Sequence, residues 1–101
     1  MEIGTAIRTI RKEKQMSQKE LADSCGISVN ALSQIEINST FPQKSTLKKL
    51  CEVFNVPMAY LLLLSMSDED VSDERKSAFN YLNGAIKTLL IDDIKSVEND
   101  S

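Results

Sequence analysis

The chain has 101 residues, of which 42% are hydrophobic and 27% charged, and its formal net charge is −3, which suits one small globular domain with an appendage. It contains no histidine, no CxxC pair and no phosphate-cradling glycine loop, so we expect no metal site, no cofactor and no enzyme activity. The N-terminus lacks the apolar region of a signal peptide, and the run Leu61–Leu64 is too short to span a bilayer. Cys25 and Cys51 have the pattern of buried free thiols in a reducing compartment. Together these features predict a cytoplasmic protein with no membrane contact.

The first predicted element is an amphipathic helix from about Ile3 to Lys14. Its apolar residues recur at helical spacing and form one stripe, which consists of Ile3, Ala6, Ile7 and Ile10. Its basic residues fall on other faces, where we interpret most of them as solvated, with phosphate attraction as the alternative. These basic residues are Arg8, Arg11, Lys12 and Lys14.

Two short helices joined by a tight turn follow between Ser17 and Glu36. Ser17 and Glu20 have the spacing of a capping box, which predicts that the first of these helices begins just after Ser17. Gly26 can adopt the left-handed conformation that ends a helix, and Ser28 can cap the next one. The predicted buried faces consist of Leu21, Ala22, Cys25, Leu32 and Ile35. This pattern indicates a helix-turn-helix, with an ordinary helical hairpin as the alternative.

Two further helices complete a small core. The polar loop Asn38–Thr40 leads to a helix that begins near Lys44 and ends at Asn55 in a left-handed conformation. Its apolar stripe consists of Leu47, Leu50, Cys51 and Phe54. A short fifth helix, Met58–Leu64, follows Pro57. We therefore predict a first domain over residues 1–65.

Residues 66–101 are predicted to form an acidic linker and a last helix from Asp73 to about Ile94. The helix carries an apolar seam with 3-4-3 spacing, formed by Phe79, Leu82, Ile86 and Leu89. We interpret this seam as a dimer interface, while packing of the helix on its own domain remains the alternative. The acidic charge is concentrated here, because residues 61–101 hold four basic and nine acidic side chains, whereas residues 1–60 hold eight and six. The first sixty residues thus have a net charge of +2, which is compatible with a nucleic-acid partner.

The segment from about Ile3 to Leu64 resembles the DNA-binding domain of phage-repressor and Cro-like transcriptional regulators. The resemblance lies in the motifs IRTIRKEKQMSQKELADSCGIS, ALSQIE and FPQKSTLKKLCEVFNVPMAYLL. It implies an all-α fold: a five-helix, lambda-repressor-like domain, here with an extra C-terminal helix. It also implies that double-stranded DNA is the partner and that the third helix enters the major groove.

Leu32 and Ile35 are predicted to face inward, so the opposite side of the third helix is predicted to read bases. Asparagine and glutamine can pair with adenine, and valine can contact a thymine methyl group. The predicted base-reading residues are Val29, Asn30, Ser33 and Gln34.

Contacts to the DNA backbone are predicted at two places. The capped start of the second helix presents amides to a phosphate at Ser17, and the resemblance assigns a backbone contact to the glutamine that follows, Gln18. The resemblance also implies contacts after the third helix, at Asn38, Thr40, Gln43 and Lys44. Here the sequence departs from the family. Asn38 stands where many relatives have glycine, so Asn38 is expected to take the left-handed turn, and Gln43 stands where many have serine.

A short helix without basic residues reads few base pairs, so specificity requires two copies on half-sites about 34 Å apart. We therefore predict a homodimeric transcriptional regulator, in the first place a repressor, that binds a pseudo-palindromic operator. The alternative is an antitoxin-like or protein-interaction module whose last helix binds a protein partner.

Overall fold

The computed structural model describes the backbone of residues 1–99 and the side chains of residues 1–85, 87 and 88. Within these residues all regular secondary structure is helical, which confirms the predicted all-α class. The six α-helices are α1 (Ile3–Glu13), α2 (Gln18–Cys25), α3 (Val29–Glu36), α4 (Lys44–Phe54), α5 (Met58–Ser65) and α6 (Lys76–Asn99). None of the described helices combines the length and the apolar content that crossing a membrane requires.

Helices α1 to α5, called the body below, enclose one hydrophobic core. The predicted stripes of α1 and α4 are buried in full, and each of the other three helices contributes at least one buried apolar residue. Both cysteines are buried free thiols, as predicted, and burial raises the pKa of the Cys25 and Cys51 thiols above the ordinary value. The body is therefore held together by the burial of amphipathic faces.

The close crossing of α1 and α3 depends on Gly4, a residue that the sequence patterns did not single out. A Cβ atom at this position would lie 1.8 Å from the carbonyl oxygen of Ile35 on α3, which is a severe clash. The backbone amide of Gly4 also donates a hydrogen bond of 2.9 Å to Oδ1 of Asn38. Glycine at position 4 thus lets the N-terminal turn of α1 touch the end of α3.

Three helix-ending turns adopt the left-handed conformation that the sequence predicted. Gly26 after α2, Asn38 after α3 and Asn55 after α4 have φ values of 69°, 62° and 57°. A glycine or asparagine tolerates this conformation at little cost. Gln15, after α1, also has a positive φ of 58°, which the sequence patterns did not predict.

Within the predicted linker, Asp68–Asp70 form a 3₁₀ turn closed by a capping box between Ser67 and Asp70. The helix that follows differs from its prediction at two points. The last helix does not begin at Asp73: Asp73–Arg75 form a second 3₁₀ turn, and α6 begins at Lys76. Such turns are common at the start of α-helices. The helix also continues to Asn99, beyond the predicted end.

Helix α6 packs against α1 and α5 of its own chain. Asn83 is buried at this contact, and its side-chain amide donates a hydrogen bond to the carbonyl oxygen of Leu63 at the end of α5. Phe79 is half-buried, whereas Tyr81 and Leu82 are exposed. Packing on the chain's own body, the alternative left open by the sequence, therefore occurs, but it does not cover the whole predicted seam.

Candidate nucleic-acid interface

The segment from Ser17 to Glu36 forms the predicted helix-turn-helix, and its caps account for the geometry. The Ser17 hydroxyl accepts a hydrogen bond of 3.0 Å from the amide of Glu20, and the Glu20 carboxylate accepts one of 3.0 Å from the amide of Ser17. Gly26 then reverses the chain, and the Ser28 hydroxyl accepts a bond of 3.0 Å from the amide of Ala31. These local bonds define where α2 and α3 begin.

Helix α3 has one buried side and one accessible side. Leu32 and Ile35 are buried in the core, as predicted. The predicted base-reading residues lie on the other side: Val29 and Asn30 are exposed, and Ser33 and Gln34 are partly exposed. Two amides, one hydroxyl and one apolar group thus share the accessible side of α3.

A buried ion pair lies at the end of α3 and corrects the prediction that Arg11 is solvated. Arg11 is only 8% exposed, and its guanidinium binds both carboxylate oxygens of Glu36 at 2.7 and 3.0 Å. It also donates to the carbonyl oxygen of Met16 at 2.8 Å. Arg11 is buried because the acidic end of α3 packs against α1 and requires a cation there. The pair also neutralises the single acidic side chain of α3.

Gln18 joins this network from the first turn of α2. Its side-chain amide nitrogen donates a hydrogen bond of 3.0 Å to Oε1 of Glu36, which fixes its orientation. Gln18 remains partly exposed, so its amide group also faces solvent. One carboxylate therefore connects α1, α2 and α3 at the position where the resemblance implies a phosphate contact.

The start of α2 has two backbone amides outside the capping box. The capping box occupies the amides of Ser17 and Glu20, so those of Gln18 and Lys19 remain as the first-turn donors that no helical carbonyl can reach. Hydrogen bonding to Ser17 holds the pKa of the Glu20 carboxyl below its ordinary value, with the larger contribution from the Ser17 backbone amide and the smaller one from its side chain. Glu20 is therefore anionic at neutral pH and stands beside the predicted phosphate position.

The loop after α3 is tied to the body by Asn38. Its side-chain oxygen accepts from the Gly4 amide, and its side-chain nitrogen donates to the Thr5 hydroxyl at 2.9 Å. The backbone amides of residues 38–40 turn back to the carbonyl oxygens of Ile35 and Gln34. The predicted phosphate contacts of this loop therefore depend on side chains, and those of Thr40, Gln43 and Lys44 are all exposed.

A helix-turn-helix family model matches residues 7–61, which include all of α2, α3 and α4. The chain belongs to the helix-turn-helix family of transcriptional regulators. The resemblance seen in the sequence is thereby confirmed. No solved structure matches the chain.

Three relatives of this helix-turn-helix chain illustrate the family. YqaE of Bacillus subtilis, named as an HTH-type transcriptional regulator, is 30% identical over 73% of this chain and 64% of its own length. The transcriptional repressor RstR of the cryptic phage CTXphi of Vibrio cholerae is 31% identical over 78% and 69%. The HTH-type transcriptional regulator ImmR of Bacillus subtilis is 30% identical over 99% and 77%. The chain thus spans less than two thirds of YqaE, while its match to ImmR includes α6.

The sequence patterns of this helix-turn-helix chain missed the ion pair, although a signal was present. Glu36 follows Leu32 by four residues, and Arg11 follows Ile7 by four, so each charge extends a buried stripe. Because the two charges are opposite and both extend buried faces, each predicts the other as its partner.

Of the predicted dimer residues, Phe79 is half-buried and Leu82 exposed, and the side chains of Ile86 and Leu89 lie outside the described residues.

Proposed function

We propose that this protein is a transcriptional repressor that binds a pseudo-palindromic operator as a homodimer, with α3 in the major groove. The observation that carries the proposal is the division of α3 into a buried side, with Leu32 and Ile35, and an accessible polar side. A helix anchored in this way projects its side chains outward at a fixed angle, as base reading requires.

The accessible side of α3 has the chemistry of adenine and thymine recognition. The amide groups of Asn30 and Gln34 can each donate to N7 and accept from N6 of adenine, Val29 can contact a thymine methyl group, and the Ser33 hydroxyl suits either type of base. The site therefore contains A·T base pairs in each half.

Backbone contacts hold α3 in register. One phosphate is contacted by the backbone amides of Gln18 and Lys19 and by the side chain of Gln18. Another phosphate, on the far side of α3, is contacted by Thr40, Gln43 and Lys44. Asn38 does not contact the phosphate itself but fixes the loop to α1, because its side chain is hydrogen-bonded there.

Two copies are needed because one α3 is short and has no basic side chain. Its eight residues span ~12 Å and contain no lysine or arginine. A homodimer doubles the number of base contacts and of phosphate contacts, and its two-fold symmetry gives the operator its palindromic form. The name of the relative RstR, a transcriptional repressor, supports repression as the outcome of binding.

Selection of bound sequences from a random duplex pool tests the proposal. We expect an enriched site with two inverted half-sites about one helical turn apart and with A·T pairs in each. Enrichment of a single, non-repeated motif would contradict the dimeric arrangement, and the absence of any enriched duplex would contradict DNA reading.

Gln34→Ala tests the assignment of the readers. We expect operator affinity to fall by ~1–3 kcal/mol and base preference to relax at one position of each half-site. Thr9→Ala, on the exposed side of α1, is the matched control and should leave both unchanged, since Thr9 bonds only the Thr5 carbonyl of its own helix. Equal loss of affinity for all sequences would show that Gln34 is not a base reader.

A protein-binding role of α6 is the second candidate function, favoured by the exposure of Tyr81 and Leu82. A different protein that binds the purified chain at fixed stoichiometry, and whose binding is lost on Leu82→Asp, would support it.

A further inference from the structure

A cleft of about 750 Å³, called the α1–α6 cleft below, lies where α6 packs on the body. One wall is a face of the first helix, formed by Glu2 at the N-cap position and by Thr5 and Thr9, which are spaced at i, i+3 and i+7. The other walls are the end of α5 with the 3₁₀ turn that follows it, and Lys87 of α6. A cleft of this volume has the size of a small-ligand pocket.

The α1–α6 cleft presents charged side chains of both signs. The carboxylates of Glu2 and Glu69 line it, and so does the ammonium group of Lys87. The Glu2 carboxylate makes no capping bond to α1, and within the described residues none of these three side chains forms an ion pair. Leu64 and Met66 add partly buried apolar surface. A ligand that carries an ammonium group, a carboxylate and an apolar part is therefore matched in each of its groups.

The Thr5 hydroxyl connects this cleft to the loop after α3. Its oxygen accepts the 2.9 Å hydrogen bond from Nδ2 of Asn38, and its own proton is donated to no acceptor within the described part of the chain. Asn38 also accepts from the Gly4 amide and forms the left-handed turn that ends α3. A ligand oxygen that accepts the Thr5 proton would polarise the hydroxyl and strengthen the bond from Asn38.

We propose that the α1–α6 cleft binds a zwitterionic ligand of the size of a short peptide, and that the bound ligand strengthens operator binding through Thr5 and Asn38. The ligand's ammonium group pairs with the two glutamates, its carboxylate pairs with Lys87, and a carbonyl oxygen between them accepts the Thr5 proton. The loop after α3, which leads to the proposed phosphate contacts, is thereby held more firmly to α1. The regulatory part of this inference rests on the proposed function, whereas the ligand site does not.

Titration of the whole chain with an equimolar pool of tripeptides that have free termini tests the site. We expect the backbone amide NMR signals of Thr5 and Thr9 and the side-chain amide signals of Asn38 to shift. The same pool with acetylated N-termini and amidated C-termini is the control and should cause much smaller shifts. Equal shifts with both pools would overturn recognition of a zwitterion, and the absence of shifts at these residues with the free pool would overturn the site.

Lys87→Met tests the pairing with the ligand carboxylate. The substitution removes the ammonium group and keeps an unbranched side chain, so the apparent dissociation constant of the free pool should rise about fivefold. Lys12→Met removes the same charge from an exposed position of α1 outside the cleft and should leave the constant unchanged. Equal constants for Lys87→Met and the parent chain would overturn the pairing.

Thr5→Val tests the coupling to DNA. With the parent chain, we expect the free pool to raise the affinity for the selected duplex about fivefold or more. Valine has the shape of threonine without the hydroxyl, so Thr5→Val should abolish this increase even where Lys87 still binds the pool. An equal increase with Thr5→Val would overturn the route through Thr5 and Asn38. A parent chain that binds the pool without a gain in duplex affinity would overturn the coupling altogether.

The outcomes for this inference and for the proposed function can be separated. If the free pool causes the expected NMR shifts but the chain binds no duplex, the proposed function fails and the ligand site stands. If the chain binds the selected duplex but the pool causes no shifts, the ligand site fails and DNA reading stands.

Discussion

The body and α6 use the same type of amphipathic helix in different ways. In the body, leucines at the predicted stripe positions, such as Leu32 and Leu50, are fully buried. On α6, Leu82 occupies an equally clear stripe position and is more than half exposed. An apolar stripe shows that a helix has a partner surface, but only the fold shows whether that surface belongs to the same chain.

The polar contacts of the two regions differ as well. Three side chains from three helices meet in the body: Arg11, Gln18 and Glu36, with the ion pair almost wholly buried. The ion pair at the start of α6, between Lys76 and Asp73, lies at the surface. A buried carboxylate that loses its cation is costly, whereas an exposed pair is largely replaced by water.

The largest expected effect is that of Arg11→Ala. The substitution leaves the buried Glu36 carboxylate without its bidentate partner, so we expect the free energy of unfolding to fall by ~3–5 kcal/mol. Lys76→Ala removes one partner of the exposed pair and should cost less than ~1 kcal/mol. Urea denaturation followed by circular dichroism measures both.

A double variant separates loss of the pair from loss of volume. Arg11→Met combined with Glu36→Leu replaces the two charges by apolar groups of similar size, and should recover much of the stability lost in Arg11→Ala. Equal effects of Arg11→Ala and Lys76→Ala would show that burial does not distinguish the two pairs. Gln18 loses its own partner in the double variant, so operator binding should weaken even where stability is recovered.

Replacing a glycine by alanine should change the stability in opposite directions in the body and in α6. Gly4→Ala in the body places a methyl group against the Ile35 carbonyl and should destabilise the chain by ~1–3 kcal/mol. At Gly84 of α6, an added Cβ meets nothing within 4 Å, so Gly84→Ala should stabilise the helix by up to ~1 kcal/mol. Thermal unfolding measures both, and a neutral Gly4→Ala would mean that α1 and α3 can move apart.

The sequence predicted most of the body because its signals are local. The capping box at Ser17, the left-handed turn at Gly26 and the buried stripes each depend on residues a few positions apart. The contact at Gly4 and the burial of Arg11 depend on where α1 crosses α3, which no local pattern contains. Among the predicted site residues, the sequence identified the outward side of α3, but it did not show that Asn38 is engaged with α1.

The start of α6 was misplaced for a related reason. Ser72, Asp73 and Glu74 have the residue types that favour the beginning of a helix, but Asp73 and Glu74 belong to a 3₁₀ turn, and Ser72, which precedes it, makes no side-chain cap bond. The acidic cluster at Asp68–Asp70 also carries a capping box of its own. Because two helix-start signals lie so close together, the local sequence does not determine where the first full α-helical turn forms. Packing on α1 and α5 determines it.

The smallest expected effect is a pH dependence of the two capping boxes, one in the body and one before α6. Bonds from the amide of Ser17 hold the pKa of Glu20 below its ordinary value of 4.5, and the amide of Ser67 similarly holds that of Asp70 below 3.8. Because these pKa values are lowered by folding, each bond contributes fully above the ordinary pKa and is lost as the pH falls through the lowered value.

The amide NMR shifts of Ser17 and Ser67 measure the two events separately. Both should change as the pH falls, each with a midpoint below the ordinary value of its carboxyl. The change at Ser67 should be accompanied by weaker protection of α6 amides from hydrogen exchange, because Asp70 closes the turn that leads into α6. Glu20→Gln and Asp70→Asn are the matched controls, and each should abolish only its own transition. Midpoints at the ordinary values would show that the capping bonds do not persist in solution.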